Sequence, residues 1–258
     1  MTLTLGAIIL TLATGYNSAA VSLQHNGMKY LDASDHGRLL QSAISYDGQG
    51  EANNPTEGGC SGLLASKLQR CSKLLSKSKT GAFYSVLGLW DSGMLSDTEL
   101  LKTYTAEGDQ GINIGAAFRV GSVHHSATVE ALTAYLPVSN WPGQPSFPHV
   151  YSFNPLTRET LELDQNGEQR YPVIASSAKG YYAMGIYSPE LPYQVGPDWV
   201  GYGGFKFPTD GVNKLNCVFR HGYTSAGTVL AHNCMVFVGT LSEVQTLITQ
   251  HYIRDHLS

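Results

Sequence analysis

With 258 residues, a net charge of −4 and only 14% charged side chains, the chain makes no electrostatic case for nucleic acid or an anionic membrane. Its hydrophobic fraction of 42% supports a proper core and excludes a disordered chain. Fifteen Tyr and 28 Gly, with few Lys and Glu, make a strand-and-turn composition that is poor for helices.

Residues 3–13 are apolar, too short to span a membrane and without the Lys or Arg that opens an export signal. They read as a β-strand, and the chain as a mature form from which such a signal has been removed. Residues 19–23 alternate, and Asn26-Gly27 supplies a tight hairpin signal before 28–31. Residues 35–59 form a dense polar segment with a possible strand at 39–44; its five Gly and Pro55 interrupt any longer regular element. The Lys-, Leu- and Ser-rich stretch 60–79 reads as a short helix or an irregular surface excursion. Strands resume at 82–89, 111–120 and 123–135, followed by a Pro-rich loop around Trp141. Residues 151–163 read as strand, turn, strand, and 172–187 as a hairpin about Lys179-Gly180. A long loop at 188–204 precedes strands at 215–220 and 229–239. Leu241, Val244, Leu247 and Ile248, at helical spacing behind a Thr240 cap, predict a helix over 241–251. Many short strands with Gly/Pro turns and no composition shift predict one all-β sandwich domain spanning 1–258.

Four cysteines allow three pairings. Cys217 and Cys234 flank a candidate hairpin, and Cys60 and Cys71 lie close together; two local disulfides would mean an oxidising compartment, four free thiols a reducing one. No metal-ligand spacing, phosphate-cradling Gly loop or nucleophile elbow is present, so no cofactor or metal is expected.

The residues 19–41 (AAVSLQHNGMKYLDASDHGRLLQ) resemble the opening of galactose-mutarotase-like proteins, the β-supersandwich superfamily that includes aldose 1-epimerases. NNPTEGG (53–59), VHHSATVEALTAYLP (123–137), YYAMGIYSP (181–189) and NCVFR (216–220) resemble a group of secreted proteins within that fold. The resemblance covers most of the chain apart from the Lys-rich excursion. It implies an antiparallel β-supersandwich with one short C-terminal helix, a carbohydrate ligand, and a secreted or periplasmic location. The superfamily includes mutarotases, polysaccharide lyases and appended domains of glycosidases, and fold likeness alone does not choose among them.

Candidate site residues come from two stretches. Glu51 and Glu57, six apart in a loop, suit paired acid–base work on a glycosidic bond, or else cap turns. Asp35, His36 and Arg38 follow the first hairpin; Arg38 either forks onto a ligand or ties loop to sheet. In 123–135 a regular strand would place His124, Ser126, Thr128, Glu130 and Leu132 on one face, with His125 and Tyr135 on the other. Glu130, bracketed by apolar neighbours, is either a catalytic carboxylate or half of an ion pair, with Arg38 as the candidate partner. The expected catalytic set is Glu51, Glu57, Glu130, His36, His124 and His125. The expected binding set is Asp35, Arg38, Asn54, Tyr135 and Trp141, whose ring is suited to stacking on a sugar or to packing at the rim. Asp47 beside Gly48 reads as a turn residue, and His221 and His232 receive no role. Together these predict a secreted enzyme cleaving glycosidic bonds of an oligo- or polysaccharide. Simple mutarotation and non-catalytic sugar binding are the alternatives; export argues against the former, because free hexose anomers interconvert in water unaided.

Overall fold

The computed structural model describes residues 1–13, 19–32, 40–48, 72–78, 81–86, 98–139 and 142–257. The N-terminal apolar run makes two strands rather than one. Gly6 adopts φ +61° and turns β1 (Thr2–Leu5) back onto β2 (Ile8–Ala13). A side chain there would also meet the Gly108 carbonyl oxygen at 2.2 Å, so only glycine fits this close approach. β3 (Ala19–His25) turns into β4 (Met28–Lys29) through Asn26 and Gly27, at φ 50° and 77°. Positive φ at both central residues is what a tight, right-twisted hairpin requires. These four strands form a small sheet.

The remaining strands, in chain order, are β5 (Gln41–Tyr46), β6 (Ser72–Lys77), β7 (Gly81–Val86), β8 (Glu99–Ala106), β9 (Gly111–Arg119), β10 (Ala127–Pro137), β11 (His149–Phe153), β12 (Thr160–Glu162), β13 (Gly167–Gln169), β14 (Val173–Ser176), β15 (Ala183–Tyr187), β16 (Tyr193–Val195), β17 (Asp198–Val200), β18 (Tyr202–Phe207), β19 (Val212–His221) and β20 (Val229–Gly239). Among the described residues, β13-β18-β19-β10-β5 form a five-stranded sheet and β12-β11-β14-β15-β20-β9-β8-β7-β6 a nine-stranded one, while β16 and β17 pair alone. Neighbouring strands run antiparallel. The two large sheets pack face to face with Val129, Leu132, Leu215 and Phe219 on one side and Ile112, Ile114, Phe118 and Val236 on the other, all buried. This is the expected antiparallel β-sandwich.

Several local expectations change. The C-terminal end of the Lys-rich stretch is the strand β6, paired with β7, and not a helix. β8 lies in a segment with no strand expectation, because buried Lys102 sits where alternation calls for an apolar residue. The long loop at 188–204 contains the β16–β17 hairpin. Cys217 and Cys234 are bonded as expected, but they do not close a hairpin: β19 and β20 belong to different sheets, so the bridge crosses the core. Cys60 and Cys71 lie outside the described residues.

The helix α1 (Leu241–His256) begins where expected. The Thr240 side chain accepts the Glu243 N–H, and the Glu243 carboxylate accepts the Thr240 N–H at 2.7 Å, a reciprocal cap. Val244 and Ile248 are buried against β15, where Gly185 leaves room for them. No helix among the described residues is long and apolar enough to cross a membrane.

Candidate functional site

The face of the five-stranded sheet turned away from the core carries the polar residues. Cys217, bonded across the core, fixes which side of β19 points inward. The alternate positions Lys214, Asn216, Val218 and Arg220 therefore point outward. On β10 a bulge between Glu130 and Leu132 resets the alternation. Glu130 lies outward before it, Leu132 turns into the core, and Thr133 and Tyr135 follow Glu130 outward. The regular-strand expectation, which separated Glu130 from Tyr135, is corrected by that one extra residue.

One row crosses the sheet. Gln41 on β5 is opposite Thr133, Thr133 opposite Asn216, Asn216 opposite Gly203 on β18, and Gly203 opposite Glu168 on β13. At ~4.8 Å per strand the row is about 19 Å long. Residues on an outer sheet face are ordinarily solvated, yet Gln41 is 6% exposed, Thr133 0% and Asn216 2%. The side-chain carbonyl oxygens Gln41 Oε1 and Asn216 Oδ1 are both buried, and neither finds a hydrogen-bond donor among the described residues. A buried acceptor left without a donor costs about 1–3 kcal/mol, so two in one row call for a donor-bearing partner. Gly203 is needed for this packing: a Cβ there would lie 1.7 Å from Asn216 Oδ1 and 2.8 Å from the Phe205 ring, so these two side chains fill the space over the glycine.

Charged groups flank the row. The carboxylate of Glu130 accepts from Lys214 Nζ at 3.3 Å and from Thr133 Oγ1 at 2.5 Å. The side chains of Lys214 and Glu130 are 7% and 17% exposed, so the pair is largely withdrawn from water. Lys214 Nζ also lies 5.4 Å from the Phe205 ring centroid. Lys214 is thus a partner of Glu130; Arg38, the candidate considered from sequence, lies outside the described residues. Arg220 forks onto both oxygens of Glu168 and donates to Tyr193 Oη at 2.9 Å. The hydrogen bond to Glu168 leads in holding the guanidinium charged, above its ordinary range.

His124 and His125 precede β10 instead of lying on it. His124 Nδ1 meets Asp47 Oδ2 at 2.9 Å and its Nε2 meets Ser122 Oγ at 3.1 Å; its ring stacks on Tyr46 at 3.8 Å. Asp47 Oδ1 accepts the N–H groups of His125 and Ser126. The hydrogen bond from His124 leads in lowering the Asp47 pKa. Asp47 sits at φ 56° in a turn, as its Gly48 neighbour predicted, and the cluster ties the end of β5 to the start of β10. Of the remaining expected site residues, Asp35, His36, Arg38, Glu51, Asn54, Glu57 and Trp141 lie outside the described residues.

Beyond Tyr135, a cleft of about 470 Å³ separates the N-terminal sheet from the β18–β19 turn. Its lining includes Ser22, Lys29, Asp32, Ser139, Gln144 and Asp210. The Asp32 N–H donates to the Tyr135 carbonyl, tying the cleft wall to β10. Among the described residues no group of three or more His, Cys, Asp or Glu side chains converges as a metal cage.

Sequence reasoning missed Gln41, Thr133, Lys214, Asn216, Gly203, Arg220 and Glu168. One signal was available: between 214 and 220 the polar residues Lys214, Asn216 and Arg220 fall on even positions and Leu215, Cys217 and Phe219 on odd ones.

No family model matches the chain, and no curated protein matches it by sequence. Solved structures do match. A galactose mutarotase related enzyme from Lactobacillus acidophilus superposes with a TM-score of 0.57 at 8% identity, covering 93% of this chain and 97% of its own. A galactose mutarotase-like protein from Lactobacillus casei gives 0.54 at 10%, covering 92% and 99%. A polysaccharide lyase gives 0.51 at 9%, covering 96% of this chain and 34% of its own. The chain therefore has the galactose-mutarotase-like fold.

Proposed function

We propose that this protein is a carbohydrate-active enzyme that seats an oligo- or polysaccharide on the outer face of its five-stranded sheet and cleaves its glycosidic bonds by acid–base chemistry. The observation that carries the reading is the pair of buried acceptors without donors, Gln41 Oε1 and Asn216 Oδ1, in one row of the sheet. Sugar hydroxyls are donors at the spacing such a floor needs, and their C–H faces suit the neighbouring Phe205 and Tyr135. The cleft past Tyr135 gives a chain of several sugar units somewhere to continue. Glu130 is the acid–base candidate on the described face, with Glu51 and Glu57 as the pair expected from sequence. The reading takes residues 1–258 as one domain and places it outside the cytoplasm, in keeping with the Cys217–Cys234 bridge.

One observation favours non-catalytic sugar binding instead: both Glu130 oxygens are engaged, by Lys214 and Thr133. Release of reducing ends from a panel of neutral and uronate-containing glycans decides between the two. Turnover abolished by Glu130→Gln, with the fold intact, supports catalysis; glycan binding without turnover on any substrate leaves a binding module. Ultraviolet absorbance of an unsaturated product separates lyase from hydrolase. Polarimetry on fresh α-galactose tests the mutarotase alternative.

A further inference from the structure

A histidine pair lies on the opposite, core-facing side of β19, away from the glycan face. His221, at the end of β19, and His232, on β20, bring their Nε2 atoms to 2.9 Å from each other across the gap between the two sheets. Their positions are pinned. The Cys217–Cys234 bridge joins the same two strands a few residues away, and Phe219 stacks flat on His232 at 3.9 Å. His232 Nδ1 meets Glu190 Oε2 at 2.6 Å, while the Asn233 N–H donates to the other Glu190 oxygen at 3.1 Å. The His232 side chain is 11% exposed and that of Glu190 38%, so the pair sits at a rim that solvent reaches through Glu190.

Proton placement follows from these contacts. A carboxylate only accepts, so His232 carries its proton on Nδ1 and presents a bare lone pair at Nε2. The short contact to His221 is then an N–H···N hydrogen bond in which His221 is the donor. Moving that one proton to His221 Nδ1 leaves two neutral imidazole lone pairs facing each other. No proton has to leave the protein.

We propose that His221 and His232 form a two-histidine clamp for a divalent transition-metal ion, with Glu190 orienting His232 from behind. A carboxylate on the far nitrogen of a ligating histidine fixes its tautomer and raises its basicity, and the charge of Glu190 opposes that of the cation. The 2.9 Å between the two nitrogens is the length of the hydrogen bond that the ion would replace, so the choice of ion rests on affinity for imidazole donors, which among divalent first-row ions is highest for Cu²⁺. Sequence spacing did not reveal this pair, because its nitrogens meet through strands of different sheets.

The test is calorimetric titration of the full-length, disulfide-intact protein with Cu²⁺, Ni²⁺ and Zn²⁺ salts. One equivalent binds, with Cu²⁺ tightest; His221→Ala and His232→Ala each weaken it at least tenfold, and Glu190→Gln weakens it by about 10–100-fold. Because His232 packs on Phe219, its variant carries a risk to folding. His221→Gln, which leaves the Phe219–His232 stack in place, repeats the test, and unchanged thermal melting confirms the fold. The electron paramagnetic resonance of the Cu²⁺ complex shows coupling to two imidazole nitrogens in the wild type and fewer in His221→Gln. Binding unchanged in the His221 variants, no saturable Cu²⁺ binding, or an unaltered nitrogen pattern overturns the proposal. Glycan turnover is not used as a readout, so the result is independent of the function proposed for the other face.

Discussion

Replacing Asn216 by Leu tests the floor of the proposed sugar site, because stability and binding should move in opposite directions. Asn216 is 2% exposed and its side-chain oxygen accepts nothing from the described residues. An orphaned acceptor of this kind costs the folded protein about 1–3 kcal/mol. Leucine has nearly the same shape and removes the acceptor, while an imperfect fit beside Phe205 costs up to about 1.5 kcal/mol. The expected change is therefore between about −0.5 and +3 kcal/mol, a shift in melting temperature from roughly −2 to +12 °C for a chain of this size. Glycan affinity should fall about tenfold, the worth of one hydrogen bond to a neutral donor. Differential scanning calorimetry gives the first quantity, and titration with the best glycan from the activity panel gives the second. A variant that melts several degrees lower would show that the Asn216 oxygen has a donor in the free protein. The argument for a waiting ligand would then fail.

Glu130→Gln removes the carboxylate charge that accepts from Lys214 Nζ, whose side chain is 7% exposed. Breaking a buried pair costs 3–5 kcal/mol; the residual exposure of Glu130 lowers the expectation to about 2 kcal/mol. Glu130→Gln/Lys214→Met should recover part of it in a urea-denaturation cycle, and strict additivity would refute the coupling. Gly185→Ala puts a Cβ 2.5 Å from Val244 Cγ1 and 2.9 Å from Ile248 Cδ1, which should lift α1 and cost about 1–3 kcal/mol. Adding Val244→Ala should restore some of the loss, and no restoration would place the strain elsewhere. Burial leads in lowering the pKa of both His25 and His251, opposed by Glu243 and Asp109 at the first and by Glu107 and Asp255 at the second. The unfolded chain therefore takes up protons first as pH falls past ~6.5, so this contribution is present above that pH and lost below it. Melting temperature should drop between pH 7.5 and 5.5, and a smaller drop is expected in His251→Phe; an identical drop would remove His251 from the cause.

The elements legible in the sequence were those whose cause is local. Thr240 and Glu243 cap each other three residues apart, so the start of α1 was visible without any tertiary contact. Asn26-Gly27 carries its own hairpin geometry, and the composition of Tyr, Thr and Gly pointed to an all-β chain. The polar face of β19 was also visible in principle, through the alternation of Lys214, Asn216 and Arg220 with Leu215, Cys217 and Phe219. What only the tertiary structure decided was which residues from distant strands share a row. The bulge after Glu130 moved Thr133 and Tyr135 to its side, register placed Gln41 and Asn216 on either flank of Thr133, and Lys214 became a partner of Glu130. The disulfide and the histidine pair likewise join strands that never hydrogen-bond to each other. Alternation tells which side of a strand a residue occupies. Its neighbours across the sheet are set by register, and register is fixed by packing the whole core.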